Sequence, residues 1–193
     1  LTIAPQRWPF GLEPTMQDYQ RDYLDLAIPA AQASMIATGV PASITIAQGA
    51  LESGWWRTKL AQIYNNGFGI KANQAQLADH DYCEFNTQEE ENHTLETLKA
   101  CFAQYATPEE SFTAHAQLLC RPHYAAAMAC THDPDAFAWA LGPKTPEHPE
   151  GCTYSTLTDY HDRLMELVHQ FNLTQYDNPP EPPAVAQKME IAA

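Results

Sequence analysis

Residues 42–71 read ASITIAQGALESGWWRTKLAQIYNNGFGIK and place one carboxylate, Glu52, at the end of a largely apolar helix, followed at once by aromatics and glycines. Pro41 suits a first helical position, and Ile44, Ala47 and Leu51 recur at spacings of three and four, as one buried face requires. Thr45, Gln48, Gly49 and Glu52 form a second stripe of polar and very small residues, which suits the wall of a cleft, with Gly49 leaving room for a close approach to the backbone. Gly54 should end the helix, because glycine adopts the left-handed C-terminal position without steric penalty. Glu52 then lies in the last turn, where the carbonyl end of the helix dipole disfavours its charge. Trp55 and Trp56 follow, and apolar rings beside a carboxyl group would keep it protonated, as a general acid needs. The plain alternative is a solvated glutamate at a helix end.

Two runs, Ala47-Gln48-Gly49-Ala50-Leu51-Glu52-Ser53-Gly54-Trp55 and Asn65-Asn66-Gly67-Phe68-Gly69-Ile70-Lys71, resemble the bacterial glucosaminidase (glycoside hydrolase 73-like) domain of peptidoglycan hydrolases. Echoes continue through Arg121-Pro122-His123-Tyr124-Ala125-Ala126 and Tyr154-Ser155-Thr156, so the resemblance spans residues 27–173. It implies a mainly α, lysozyme-like helical domain with a small antiparallel β-hairpin lobe, and Glu52 as the general acid. Gly67 stands where the family usually has leucine. Cys152 and Thr153 separate Gly151 from Tyr154, where the family sets its tyrosine directly after a glycine.

Glycoside hydrolysis also needs a second group to activate water or stabilise the oxocarbenium-like centre. Glu84, aligned through Ile70-Lys71, matches a β-lobe glutamate of the family, and alternation places Tyr82 on the same strand face. Asp81 and Glu89 to Glu91 compete for that role. Tyr154 matches a cleft tyrosine, so the candidate catalytic residues are Glu52, Glu84 and Tyr154. Gln48, Trp55, Tyr64, Asn66, Phe68 and Tyr82 are candidates for substrate binding; buried core aromatics would look the same.

The chain has 193 residues, 10 Lys+Arg against 24 Asp+Glu and a formal net charge of −14. No basic stripe exists to neutralise phosphates, which argues against nucleic acid as a partner. No run of about eighteen apolar residues is present to span a membrane as a helix. His80, Asp81, Cys83, Glu84 and His93 are metal-ligand types at unsuitable spacing, and no C-x-x-C or H-E-x-x-H occurs, so no metal or cofactor is expected. Of the five cysteines, Cys83 and Cys101 are equidistant from Asn92 in an inferred hairpin and should lie opposite each other, while Cys120 and Cys130 could form a second pair.

Residues 1–15 read as an extended arm or linker end, 16–173 as the hydrolase domain, and 174–193 as a proline-rich tail. Pro29 should kink or divide the helix from Met16 to Thr38. Thr107-Pro108 and Asp133-Pro134 are helix starts, and Leu164, Leu167, Val168 and Phe171 form the stripe of a last helix. The expected substrate is the glycan strand of peptidoglycan, cleaved by an endo-β-N-acetylglucosaminidase; muramidase cleavage and a non-catalytic glycan-binding module are the alternatives. Such a chain would act in the periplasm or cell wall as one module of a longer protein or as a delivered effector. Any export signal is expected to lie outside the given residues.

Overall fold

The computed structural model describes residues 16–91 and 94–178, and between 86 and 98 the backbone alone. The expectations for the arm at 1–15, for the side chains of Glu89 to Glu91, for His93 and for the proline segment from 179 onward lie outside the described residues.

Helix α1 (Asp18–Thr38) runs unbroken through Pro29 and ends at Gly39, whose backbone is left-handed at φ 82°. The expected division at Pro29 does not occur. Ala27, Ala30 and Ala31, around the proline, are buried, and this tertiary packing outweighs the one backbone bond that proline removes. Helix α2 (Ala42–Ser53) occupies the centre, against α1, α7 (Pro134–Ala140), α8 (Tyr160–Gln170) and a 3-10 turn at Leu173–Asp177. Every residue of α2 from Ala42 to Ala50 is buried. A helix surrounded along most of its length offers a cleft only its end, so Thr45, Gln48 and Gly49 of the polar stripe turn inward and Glu52 alone reaches the cleft. Thr45 bonds back to the carbonyl of Pro41, and the space beside Gly49 is filled by the Tyr23 hydroxyl and the Phe68 ring.

Pro41, the N-cap of α2, supplies no side-chain cap. That role passes to Asp177, which accepts from the Ser43 backbone N–H at 2.8 Å and the Ser43 hydroxyl at 2.7 Å. The Gln32 amide also donates to the carbonyl of Tyr176. Residues 174–177 are thus held against α1 and α2.

Short helices α3 (Lys59–Tyr64) and α4 (Gln74–Ala78) precede strands β1 (Tyr82–Glu91) and β2 (Thr94–Ala103), which form a two-stranded antiparallel sheet. The register pairs Cys83 with Phe102 and Glu84 with Cys101, where symmetry about Asn92 would pair Cys83 with Cys101. This one-residue difference from the expected symmetry about Asn92 sends Cys83 and Cys101 to opposite faces. All five cysteines are free thiols. Asn66 ties the lobe to the helices: its amide nitrogen donates to the carbonyls of Ile70 at 2.9 Å and Ala103 at 2.8 Å, and its oxygen accepts from Ile70 N–H at 3.0 Å.

Helix α5 (Pro108–Leu119) packs on α1 and starts at Thr107, whose hydroxyl accepts from Glu110 N–H. A 3-10 turn at Pro122–Tyr124 leads into α6 (Ala125–Met128), and Asp133 caps α7 through Ala136 N–H. Tyr160, Leu164, Met165 and Val168 are the buried face of α8.

Candidate active site

Glu52 ends α2 as expected, with Gly54 left-handed at φ 57°. Trp55 and Trp56 are also left-handed, at φ 65° and 61°. Such a backbone costs roughly 1–2 kcal/mol for each residue carrying a Cβ, and local bonds offset part of this. Ser53 Oγ accepts from Trp56 N–H at 2.6 Å, and the Ser53 carbonyl accepts from the N–H groups of Arg57 and Thr58. The turn carries both rings into the packing behind the helix. Trp55 lies against Tyr19, Tyr23 and Phe171, and Trp56 stacks on Phe112 with centroids 5.9 Å apart. Neither tryptophan lines the cleft that holds Glu52; both rings pack behind α2.

That cleft measures about 780 Å³. The segment from Phe68 to Asn73 forms one side and α5 contributes Ala114, Gln117 and Leu118; Arg121, Tyr124, Tyr154 and Ser155 complete the wall around Glu52. The Glu52 side chain remains accessible to a ligand, yet the protein gathered round it pushes its carboxyl pKa above the ordinary value. One bond opposes that shift. The buried Tyr160 hydroxyl donates to Glu52 Oε1 at 3.0 Å, and the Gln48 Nε2–H donates to the same hydroxyl oxygen at 3.0 Å. Burial raises the Tyr160 phenol pKa well beyond its ordinary value, which keeps it a donor at any physiological pH.

Tyr154 lines the cleft and stacks on Tyr160 with centroids 5.9 Å apart. Its pKa is raised by burial first, then by the neighbouring Glu52 charge. Thr153 immediately before it is left-handed at φ 53°, the conformation for which the family's glycine is suited. The Thr153 hydroxyl accepts from Lys144 N–H at 3.0 Å. Phe68 lines the cleft and lies flat on His115, with centroids 4.0 Å apart.

Other candidates lie elsewhere. Gln48 and Asn66 are fully buried and bond within the protein, away from the cleft lining. Tyr64 packs edge-on against Phe85 beneath the hairpin, and neither it nor Tyr82 lines the cleft. Glu84 is exposed on β1, accepts an ion pair from Lys99 at 3.2 Å and does not line the cleft either. Asp81 accepts from the Gln104 amide at 2.7 Å. Among the described residues no three His, Cys, Asp or Glu side chains gather as a metal site, and no helix is long and apolar enough to cross a membrane.

Sequence reasoning missed Tyr160 and His115. Tyr160 stands four residues before Leu164 and so prolongs the α8 stripe; a buried tyrosine there needs a partner for its hydroxyl, which was the available signal. His115 gave none.

The family profile described as mannosyl-glycoprotein endo-beta-N-acetylglucosaminidase matches residues 28–173. The chain belongs to the glucosaminidase family. The exo-glucosaminidase LytG of Bacillus subtilis is 32% identical over 166 residues, covering 83% of this chain and 54% of that protein. A crystal structure of a peptidoglycan hydrolase mutant from Sphingomonas sp. A1 is 30% identical with a TM-score of 0.63, over 81% of this chain and 97% of that one. The catalytic domain of the autolysin Auto from Listeria monocytogenes superposes with a TM-score of 0.70 at 24% identity, over 84% and 89% of the two chains, and confirms the lysozyme-like fold. The chain spans about half the length of the curated relatives it matches.

Proposed function

We propose that this domain hydrolyses β-1,4 glycosidic bonds in peptidoglycan glycan strands as an endo-β-N-acetylglucosaminidase, with Glu52 as general acid. One observation carries the reading: Glu52 is the only carboxylate lining the described cleft, it is accessible from it, and its surroundings favour the protonated form. A protonated carboxyl can deliver its proton to the departing glycosidic oxygen. The names of the relatives supply the substrate. Lys71 and Arg121 in the cleft of a chain with net charge −14 suit the carboxylates that peptidoglycan carries and chitin lacks.

Tyr154, which lines the same cleft, orients the substrate's acetamido group in this reading. The second catalytic role is divided between Glu84 and that acetamido oxygen. Glu84 takes part if the hairpin bends over the bound glycan; the acetamido group, carried by the substrate, needs no such movement. The domain acts outside the cytoplasmic membrane, in the periplasm or cell wall, as a module of a longer chain or a delivered effector.

Digestion of purified peptidoglycan by the wild type and Glu52→Gln, followed by mass spectrometry of the fragments, tests the reading. Turbidity loss should slow by ~10²–10⁴-fold in the variant, as for other lost acid–base groups, and wild-type fragments should end in reducing N-acetylglucosamine. Reducing N-acetylmuramic acid would establish a muramidase instead. Release of terminal sugars alone would establish exo action, the reading the LytG similarity favours. Near-normal hydrolysis by folded Glu52→Gln would reject the mechanism.

A further inference from the structure

We infer that Tyr160 and Gln48 are positioning residues that hold the transferable proton of Glu52 on Oε2, through a one-way chain of hydrogen bonds running from Gln48 Nε2–H to Tyr160 Oη and from Tyr160 O–H to Glu52 Oε1. This inference rests on the assignment of Glu52 as the acid.

The direction follows from the atoms. An amide nitrogen only donates, so the 3.0 Å contact from Gln48 Nε2 occupies the Tyr160 oxygen as an acceptor. The single phenolic hydrogen is then available to the other neighbour, Glu52 Oε1, also at 3.0 Å. Two hydrogens cannot share that line, so when Glu52 is neutral its proton sits on Oε2. An acid whose proton could rest on either oxygen would present it to the glycosidic oxygen only part of the time.

The surroundings show that the chain is built rather than incidental. Gln48 and Tyr160 are 0% and 1% exposed, on different helices 112 residues apart in sequence. Gln48 Oε1 is buried with no hydrogen-bond partner among the described residues. A buried acceptor left unpaired is unfavourable, and a leucine in this central helix would avoid it. The glutamine is explained by what its nitrogen does. Tyr160 is fixed in orientation by stacking on Tyr154.

The arrangement also sets the pH range of the acid. A hydrogen bond donated to the carboxylate favours its charged form, so Tyr160 holds the Glu52 pKa below the value burial alone would produce. The other groups facing Glu52 are Tyr154, Tyr124 and Arg121, Lys71 and Tyr105 across the cleft, and His115 on α5 behind its wall. Burial keeps the three tyrosine hydroxyls protonated and His115 neutral across the working range, so the alkaline limb of turnover belongs to Glu52.

The test measures the pH dependence of kcat on peptidoglycan for wild type, Tyr160→Phe and Gln48→Met, together with the Glu52 carboxyl titration followed by 13C NMR in the folded protein without substrate. Tyr160→Phe should keep the fold and KM, lower kcat about twofold, and move both the alkaline limb and the NMR titration upward by about one pH unit. Gln48→Met should shift both in the same direction by less. A purely structural role predicts activity that tracks the folded fraction with neither midpoint moved, and that result overturns the inference. Loss of activity in Glu52→Gln beside a normal Tyr160→Phe rejects the positioning role alone. An active Glu52→Gln rejects the assignment of the acid, while the NMR titration still decides whether the hydrogen-bond chain exists.

Discussion

Trp56 occupies the space that a side chain at Gly67 would need: a Cβ built on Gly67 overlaps the six-membered ring of the tryptophan. Gly67 does not have a left-handed backbone, so the exclusion is one of volume. A leucine at this position would meet the Trp56 ring, which comes from the left-handed turn after Glu52 and stacks on Phe112. Gly67→Leu should therefore destabilise the domain by about 3 kcal/mol or more, at the upper end of overpacking effects. Adding Trp56→Ser should recover part of that loss, with a coupling energy of about 1–3 kcal/mol in denaturant titrations. Additive effects of the two substitutions would show that the residues do not compete for space.

Glu84 pairs with Lys99 away from the described cleft wall, which leads to an unequal pair of carboxylate variants. Glu84→Gln should lower peptidoglycan turnover less than Glu52→Gln does, by about ten- to a hundredfold against the ~10²–10⁴-fold of a lost general acid. Steady-state turbidity assays on both proteins decide this. Equal losses would mean that the hairpin closes and that the acetamido group cannot substitute for Glu84.

His115 is fully buried against Phe68, and both ring nitrogens lack hydrogen-bond partners among the described residues. Burial lowers its pKa to about 3, so the folded protein keeps it neutral while an unfolded chain takes up a proton near the ordinary histidine value of 6.5. Stability from this group is fully present above that ordinary value and is lost as pH falls from there toward the folded pKa. Between pH 7 and pH 5 it accounts for about 2 kcal/mol of lost stability. His115→Phe should flatten the fall in melting temperature over this interval. An unchanged slope would show that His115 is protonated or solvated in the folded state.

Asp177 caps α2 from the far end of the described chain through two bonds to Ser43. Burial raises its pKa, and the bonds from Ser43 oppose that shift. Asp177→Ala should destabilise the domain by about 1–2 kcal/mol, the usual effect of a lost helix cap, and truncation after Leu173 should do at least as much. Ser43→Ala would lose the hydroxyl bond alone and should cost less. Thermal melts of the three proteins check the order, and a truncated domain as stable as the parent would place 174–177 outside the fold.

Features under local chemical control were legible along the chain. Gly54 ends α2 and leaves Glu52 in its last turn, Thr107 and Asp133 start their helices, and the period of two beyond Asp81 makes a hairpin, because capping, left-handed glycine and alternation act within a few residues. Tertiary structure decided everything that depends on what surrounds an element. A polar stripe on α2 looked like a cleft wall, and four packed neighbours made it interior; Pro29 looked like a break, and burial carried the helix through it. The hairpin register turned on one residue, which the sequence pattern did not specify and which placed Cys83 and Cys101 on opposite faces. Likewise Tyr160 reaches Glu52 across 108 positions and Asp177 reaches Ser43 across 134. A hydrogen bond of about 3 Å between such distant residues is set by how helices pack, and no pattern along either segment encodes that distance.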